Sequence, residues 1–128
     1  MNLDEIRKQI DELDAQILEL FCKRMDLVKG VAAYKIENEM PVLRPEREQA
    51  ILDKVSNQAG EEYGSYAVRL FSSLMEVSRQ LQHQIIKEYE RSAAKEAAGV
   101  SDTEDASGAG ARTPEGKYRD IQQRGQER

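Results

Sequence analysis

The chain has 128 residues, enough for one small domain, and carries a formal net charge of −5 at pH 7. Hydrophobic residues make up 39% of it, charged residues 34% and aromatic residues only 5%. This composition favours a helical protein over a β-sandwich or barrel. The negative charge leaves no basic patch for phosphates and argues against a general nucleic-acid binder. A chain this short buries a modest core by itself, so oligomerisation would add stability.

The sequence predicts neither a signal peptide nor a membrane-spanning helix. The N-terminus lacks the basic start and apolar run of a signal peptide, and no apolar stretch approaches the roughly 20 residues that span a bilayer. Cys22 is the only cysteine, so no internal disulfide can form, and a free thiol suits a reducing compartment. We therefore expect a soluble, cytoplasmic protein with no membrane partner.

The first predicted element is a long helix from Leu3 to about Ile36, with Asn2 or Asp4 as its N-cap. At about 100° per residue, one broad face collects the apolar residues Leu3, Ile6, Ile10, Leu13, Ile17, Leu20, Phe21, Val28 and Val31. No proline interrupts the chain before Pro41. So long a helix exceeds what a compact monomer of this size would use, which indicates a partner chain.

Two further helices are predicted after a loop at residues 38–43. Pro45 fits the first position of a second, short helix, which we expect to end near Asn57 to Gly60. A third helix is expected to start around Tyr63 to Tyr66 and to continue through Tyr89. The predicted fold is therefore all-α, with three helices in the order long, short, long.

The composition changes after about residue 90. Residues 91–128 are dominated by Ala, Gly, Ser, Thr and charged residues, which cannot bury enough apolar surface to offset the entropy of ordering them. We divide the chain into a helical domain, 1–90, and a tail or linker, 91–128. The tail is expected to be mostly disordered beyond some extension of the third helix, and its role is not readable from the sequence.

Five polar residues lie within the predicted apolar stripes: Arg24 and Lys35 on the first helix, Glu48 on the second, and Ser78 and Gln82 on the third. An unpaired buried charge would be very costly, so we expect these residues to line one small polar pocket between helices. Cations outnumber acids among them, so the pocket should take an anion. Without His or Cys, it indicates neither nucleophilic catalysis nor a soft-metal site.

Each of these residues also has a purely structural interpretation. Arg24 and Lys35 could extend their charged ends to the surface from core-facing stems, and Glu48 could simply pair with one of them. Ser78 is easily satisfied within a helix. Gln82 could be a polar core residue that specifies a dimer.

Arg7 lies at the edge of the first helix's apolar stripe, roughly 25 Å from Arg24 along a straight helix. The two side chains cannot reach the same small molecule from one helix. They could do so if a partner's first helix lay antiparallel alongside. That arrangement would build two equivalent sites, each completed by the other subunit.

Taken together, these positions resemble the all-helical chorismate mutases over about residues 3–90. The resemblance rests on Ile6–Asp14, Arg24-Met25, Val28, Lys35, Pro41-Val42, Pro45–Glu48, Ser78 and Gln82. It implies an intertwined homodimer that converts chorismate to prephenate in phenylalanine and tyrosine biosynthesis. Such an isomerase needs neither cofactor nor metal.

The resemblance also implies a catalytic role for three residues. Lys35 matches a lysine that reaches a substrate carboxylate and the ether oxygen. Gln82 matches an amide that hydrogen-bonds the ether oxygen, and Glu48 an acid that holds the ring hydroxyl.

Four further residues match substrate-binding positions of the family. Arg24, and Arg7 from the partner chain, resemble carboxylate-binding arginines, with Arg47 as a nearby supporting arginine and Ser78 as a carboxylate-contacting hydroxyl. Arg44 departs from the pattern, because some members carry an aspartate there, so its effect is left open.

Two rival functions remain open at this point. An isochorismate-pyruvate lyase would share the fold, but those enzymes lack the acid and the serine matched here by Glu48 and Ser78. A non-catalytic helical dimerisation module would not explain the cationic excess of the pocket. Feedback regulation and partner enzymes of the same pathway cannot be read from the sequence.

Overall fold

A computed structural model describes residues 1–99 of the chain. They form two helices, α1 (Leu3–Glu37) and α2 (Pro45–Ala97), joined by a loop at residues 38–44. The described residues contain no strand, so the all-helical class is confirmed. In this part of the chain neither helix is long and apolar enough to cross a membrane. Helix α2 continues beyond residue 90, while the predicted disorder of residues 100–128 lies outside the described residues.

Helix α1 begins with a capping box. The side chain of Asn2 accepts a hydrogen bond from the backbone N–H of Glu5 at 2.9 Å, and the Glu5 carboxylate accepts one from the backbone N–H of Asn2 at 3.3 Å. These two bonds satisfy donors that the first turn leaves unpaired. Of the two predicted caps, Asn2 is therefore the one used.

Helix α1 ends in a Schellman motif, which fixes the direction of the loop. Glu39 has a left-handed backbone, with φ of 52°. The N–H of Met40 donates to the carbonyl of Lys35 at 2.8 Å, and the N–H of Glu39 donates to that of Ile36 at 3.3 Å. This 6→1 and 5→2 pair closes the helix and turns the chain back toward α1, where Val42 is buried.

Helix α2 has one interruption, at Gly60. Its φ of 82° and ψ of −179° are non-helical, in a region that is essentially restricted to glycine. The described residues thus form two helices where three were predicted: the second helix was expected to end near Asn57 to Gly60, where the structure has only this break within α2. Beyond it, Gly64 is buried against Ser56: an added Cβ would lie 3.3 Å from the Ser56 carbonyl oxygen. The break is therefore a corner at which the chain packs closely on itself.

The core lies between the C-terminal half of α1 and the second part of α2. Ala32 is fully buried and Ile85 is 2% exposed, with Ile36 and Leu81 packed against them. Helix α2 buries Met75, Ser78, Gln82 and Ile85 at helical spacing, as the predicted stripe requires. The N-terminal half of α1 differs: residues 1–20 are all exposed.

Candidate active site

A cavity of about 410 Å³ lies between the C-terminal half of α1, the loop and α2. Its walls include six of the seven residues predicted from the sequence: Arg24, Lys35, Arg47, Glu48, Ser78 and Gln82. Apolar side chains complete the walls, namely Val28, Val31, Val42, Ile51 and Met75. The five polar residues predicted within the apolar stripes thus line one cavity, together with Arg47, which was predicted from the family resemblance alone.

Lys35 lines this cavity and is only 9% exposed. Its Nζ donates to the backbone carbonyl of Val42 at 2.7 Å and to Oε1 of Gln82 at 2.8 Å. An ammonium has three donors, so one N–H is available for a ligand in the cavity. The Val42 carbonyl was not foreseen, because its position depends on the Schellman turn rather than on any side-chain pattern.

The contact with Lys35 determines which way the Gln82 amide points. Because an ammonium can only donate, the atom that faces Lys35 must be the amide oxygen. The Gln82 Nε2 then donates to the carbonyl of Ser78 at 3.3 Å. An amide nitrogen has two donors, so Gln82, like Lys35, keeps one N–H for a ligand. Gln82 is 6% exposed, and both donors are therefore largely removed from bulk water.

Burial lowers the pKa of Lys35 below its ordinary value, and the nearby positive charge of Arg44 lowers it further. The carboxylate of Glu48 acts in the opposite direction and raises this pKa. The two loop-proximal residues thus have opposing effects on the same ammonium. Burial is the largest of the three causes, since it disfavours the charged form of the amine.

Arg24 and Ser78 contact each other across the helices. The Arg24 guanidinium donates to the Ser78 hydroxyl oxygen, and the hydroxyl donates its proton to the carbonyl of Leu74 at 2.8 Å. The single proton of Ser78 is therefore engaged by the backbone. Ser78 acts in this arrangement as an acceptor that fixes the position of Arg24.

Glu48 forms an ion pair with Arg79. No sequence pattern had indicated a role for Arg79. Arg79 follows Ser78 directly in α2, about 100° away around the helix, and its helical position alone gave no reason to place it inward. Arg44, which was left open, also lines the cavity. The walls therefore carry five cationic side chains and a single carboxylate: Arg24, Lys35, Arg44, Arg47, Arg79 and Glu48.

Arg7 is the predicted residue that the structure does not bring to the cavity. It lies in the fully exposed N-terminal half of α1. Its prediction required a second copy of the chain, and the structure describes one chain.

The comparisons with known proteins agree with this geometry. The family model described as chorismate mutase type II matches residues 6–83, more than half of the chain. The chain is 38% identical over 88 residues to the chorismate mutase of Methanocaldococcus jannaschii, in an alignment that covers 67% of this chain and 89% of the relative.

Other relatives are longer proteins. The bifunctional chorismate mutase/prephenate dehydratase of Buchnera aphidicola subsp. Schizaphis graminum is 31% identical over 90 residues, which cover 69% of this chain but 23% of that protein. The T-protein of Haemophilus influenzae is 42% identical over 50 residues, 39% of this chain and 13% of that protein. No solved structure gave a significant match. The matched residues contain the whole cavity, and the chain belongs to the chorismate mutase type II family.

Proposed function

We propose that the cavity binds chorismate and catalyses its rearrangement to prephenate, with no cofactor or metal, as a step in phenylalanine and tyrosine biosynthesis. The observation that carries the proposal is the concentration of five cationic side chains around one carboxylate in a chain whose net charge is −5. Such a local excess of positive charge suits a dianion of small size. Membership of the chorismate mutase type II family agrees with this substrate.

The reaction itself makes modest chemical demands. It is a pericyclic rearrangement with no proton transfer and no covalent intermediate, so the protein must mainly hold a flexible dianion in its reactive, chair-like form. Arg24 and Arg47 suit the carboxylates, because a guanidinium fork can bind a carboxylate through two parallel hydrogen bonds. The bond from Arg24 to Ser78 restrains that guanidinium before the substrate arrives.

Negative charge grows on the ether oxygen as its bond to carbon breaks. Lys35 and Gln82 each keep one N–H for the cavity and are already fixed by their mutual hydrogen bond. Donors that are fixed in advance in a water-poor site stabilise developing charge more than they stabilise the ground state. We assign these two residues to the ether oxygen, and Glu48 to the hydroxyl of the substrate ring.

We further infer that the active unit is an intertwined homodimer. Along the first half of α1 one apolar face is exposed to solvent, with Leu13 56%, Ile17 61% and Leu20 64% exposed. Soluble monomers rarely expose so continuous an apolar stripe. An antiparallel second copy would cover this stripe and bring Arg7 of that copy to the cavity. In such a dimer the segments on either side of Gly60 would act as a second and a third helix.

The first test is the incubation of the purified protein with chorismate, followed by ultraviolet absorbance and identification of the product. We expect prephenate to form rapidly in the wild type, to be lost in Arg24→Ala, and to be unaffected by a chelator. Isochorismate is assayed in parallel for release of pyruvate. If a folded dimer left chorismate unchanged, the mutase proposal would be abandoned; pyruvate from isochorismate would then identify a lyase.

The shared site is tested by mixing two inactive variants, Arg7→Ala and Arg24→Ala. A mixed dimer contains one site with both substitutions and one site with neither, so random exchange should restore about a quarter of the wild-type sites. Either variant alone provides the baseline. No recovery after subunit exchange has been verified by mass spectrometry would contradict the contribution of Arg7 across subunits.

A further inference from the structure

Arg79 lines the cavity, but neither the sequence pattern nor the proposed reaction explains its role. Its side chain is 29% exposed and that of its partner Glu48 is 22% exposed. Long, flexible arginines at this level of exposure ordinarily extend toward water. Arg79 instead lines the cavity and donates from Nη1 to Oε1 of Glu48. This contact joins the second part of α2 to its first turn across the cavity.

Glu48 has a competing partner nearby. Its negative charge acts on Lys35, whose Nζ has already used two of its three donors on Val42 and Gln82. A carboxylate that was free to rotate would be strongly attracted to the remaining donor, because charge-assisted hydrogen bonds are stronger than neutral ones. That donor is the one assigned to the substrate's ether oxygen. If Lys35 and Glu48 paired with each other, neither the third donor of Lys35 nor the carboxylate of Glu48 would be free to bind the substrate.

The ion pair with Arg79 prevents this loss and still leaves Glu48 able to accept. The bond uses Oε1 only, and within residues 1–99 no other hydrogen bond reaches the Glu48 carboxylate. Oε2 is thus available as an acceptor for a hydroxyl. The same pair ties the carboxylate to the part of α2 that also carries the buried Ser78 and Gln82.

We propose that Arg79 is a positioning residue: it holds Glu48 on the α2 wall, with Oε2 free to accept a hydrogen bond from the substrate and the third donor of Lys35 unoccupied. This inference rests on the proposed chorismate mutase activity. It assigns to Arg79 no direct contact with the substrate. Its effect on the reaction should therefore require the carboxylate of Glu48.

A double-mutant cycle tests this requirement. Steady-state kinetics with chorismate are measured for the wild type, Arg79→Gln, Glu48→Gln and the double variant. We expect Arg79→Gln to lower kcat/KM by about 10- to 100-fold in the wild-type background and by less than about threefold when Glu48 is already Gln. Arg79→Lys should retain most of the activity, because it keeps the ion pair. Arg69→Gln, an exposed arginine of α2 outside the cavity, is the matched control and should behave as wild type.

The outcomes are distinguishable. Equal losses in both backgrounds would show that Arg79 acts on the substrate or the fold rather than through Glu48, and would overturn the inference while the mutase activity stood. No loss in the wild-type background would overturn it as well. A folded wild type that does not convert chorismate would overturn both proposals. If Arg79→Gln does not fold by circular dichroism, the same cycle is run with Arg79→Met, which also removes the ion pair and whose loss must again disappear beside Glu48→Gln.

Discussion

The two halves of α1 have similar apolar stripes but opposite environments. In the C-terminal half, Val28, Ala32 and Lys35 are buried against α2 and the loop. In the N-terminal half, residues 1–20 contact solvent, and Ile10 is 48% exposed although it lies on the same face as Val28. The difference shows that helical periodicity predicts which face of a helix is buried. It does not predict whether that face packs against the same chain or against another chain.

The largest expected effect concerns the buried half, where Lys35 supplies a donor to the proposed transition state. Lys35→Ala should lower kcat by about 10²- to 10³-fold, with a smaller change in KM, because part of its interaction exists only as charge develops on the ether oxygen. Lys23→Ala is the control, since Lys23 is exposed and pairs with Glu19 one turn away on the same helix. A variant of Lys35 with normal kcat and a raised KM would contradict the assignment.

The next prediction addresses the exposed half. If a second chain covers it, Leu13 is a core residue of the dimer, and Leu13→Ala should reduce the free energy of unfolding by at least about 2 kcal/mol. The melting temperature should also depend on protein concentration, because the dimer gains stability by mass action.

Lys8→Ala provides the control for Leu13, since Lys8 lies on the opposite face of α1. As a surface substitution it should change the stability by less than about 0.5 kcal/mol. Leu13→Ala and Lys8→Ala could instead have equally small effects, with a melting temperature that does not depend on protein concentration. That result would show that solvent, and not a second chain, covers the first half of α1.

The sequence predicted the parts of the structure that depend on local pattern. Capping preferences limited the N-cap of α1 to Asn2 or Asp4. Helical spacing and the cost of burying unpaired polar groups predicted the span of α1 and the inward direction of four side chains: Arg24, Lys35, Ser78 and Gln82. These four residues are polar although they lie within apolar stripes, so they could be identified without any knowledge of the tertiary structure.

Other features depend on how distant segments meet, and the sequence did not reveal them. Arg79 lies off the stripe and turns inward because Glu48, thirty-one positions earlier, is placed opposite it. The Val42 carbonyl reaches Lys35 only after the loop has turned. The sequence predicted that one helix ends near Asn57 to Gly60 and another starts around Tyr63 to Tyr66, whereas the structure has one helical element with a break at Gly60. Glycine permits the unusual backbone without specifying how long the interruption is.

A third prediction uses pH to test the environment of Lys35 in the buried half. Lys35 has its positive charge and its third donor only when it is protonated, and its pKa is lowered by burial and by Arg44. Plots of kcat/KM, which report the free enzyme, should therefore fall on the alkaline side at a lower pH than an ordinary lysine would give. Arg44→Gln removes a positive charge, raises the pKa of Lys35 and should move this fall to higher pH.

A second variant should shift the alkaline fall of kcat/KM in the opposite direction. Glu48→Gln removes the charge that raises the pKa of Lys35, so the alkaline fall should move to lower pH, whatever happens to the maximal rate. Shifts of the same sign in both variants would mean that another group causes the alkaline loss.

The smallest expected effect lies where α1 ends. Glu39 has φ of 52°, a conformation that costs a residue with a Cβ about 1–2 kcal/mol relative to glycine, and it places a negative charge beside the C-terminus of a helix. Glu39→Gly should therefore stabilise the protein by about 1 kcal/mol, measured by denaturant unfolding, part of the gain being offset by the greater freedom of glycine in the unfolded chain. Glu37→Gly makes the same change at the last residue of α1; it removes the same charge but relieves no left-handed backbone, so it should not stabilise the protein. Because Glu39 does not line the cavity, kcat/KM for chorismate should be unchanged. A loss of activity with Glu39→Gly would show that the rigidity of this turn, and not only its path, is needed to hold the Val42 carbonyl on Lys35.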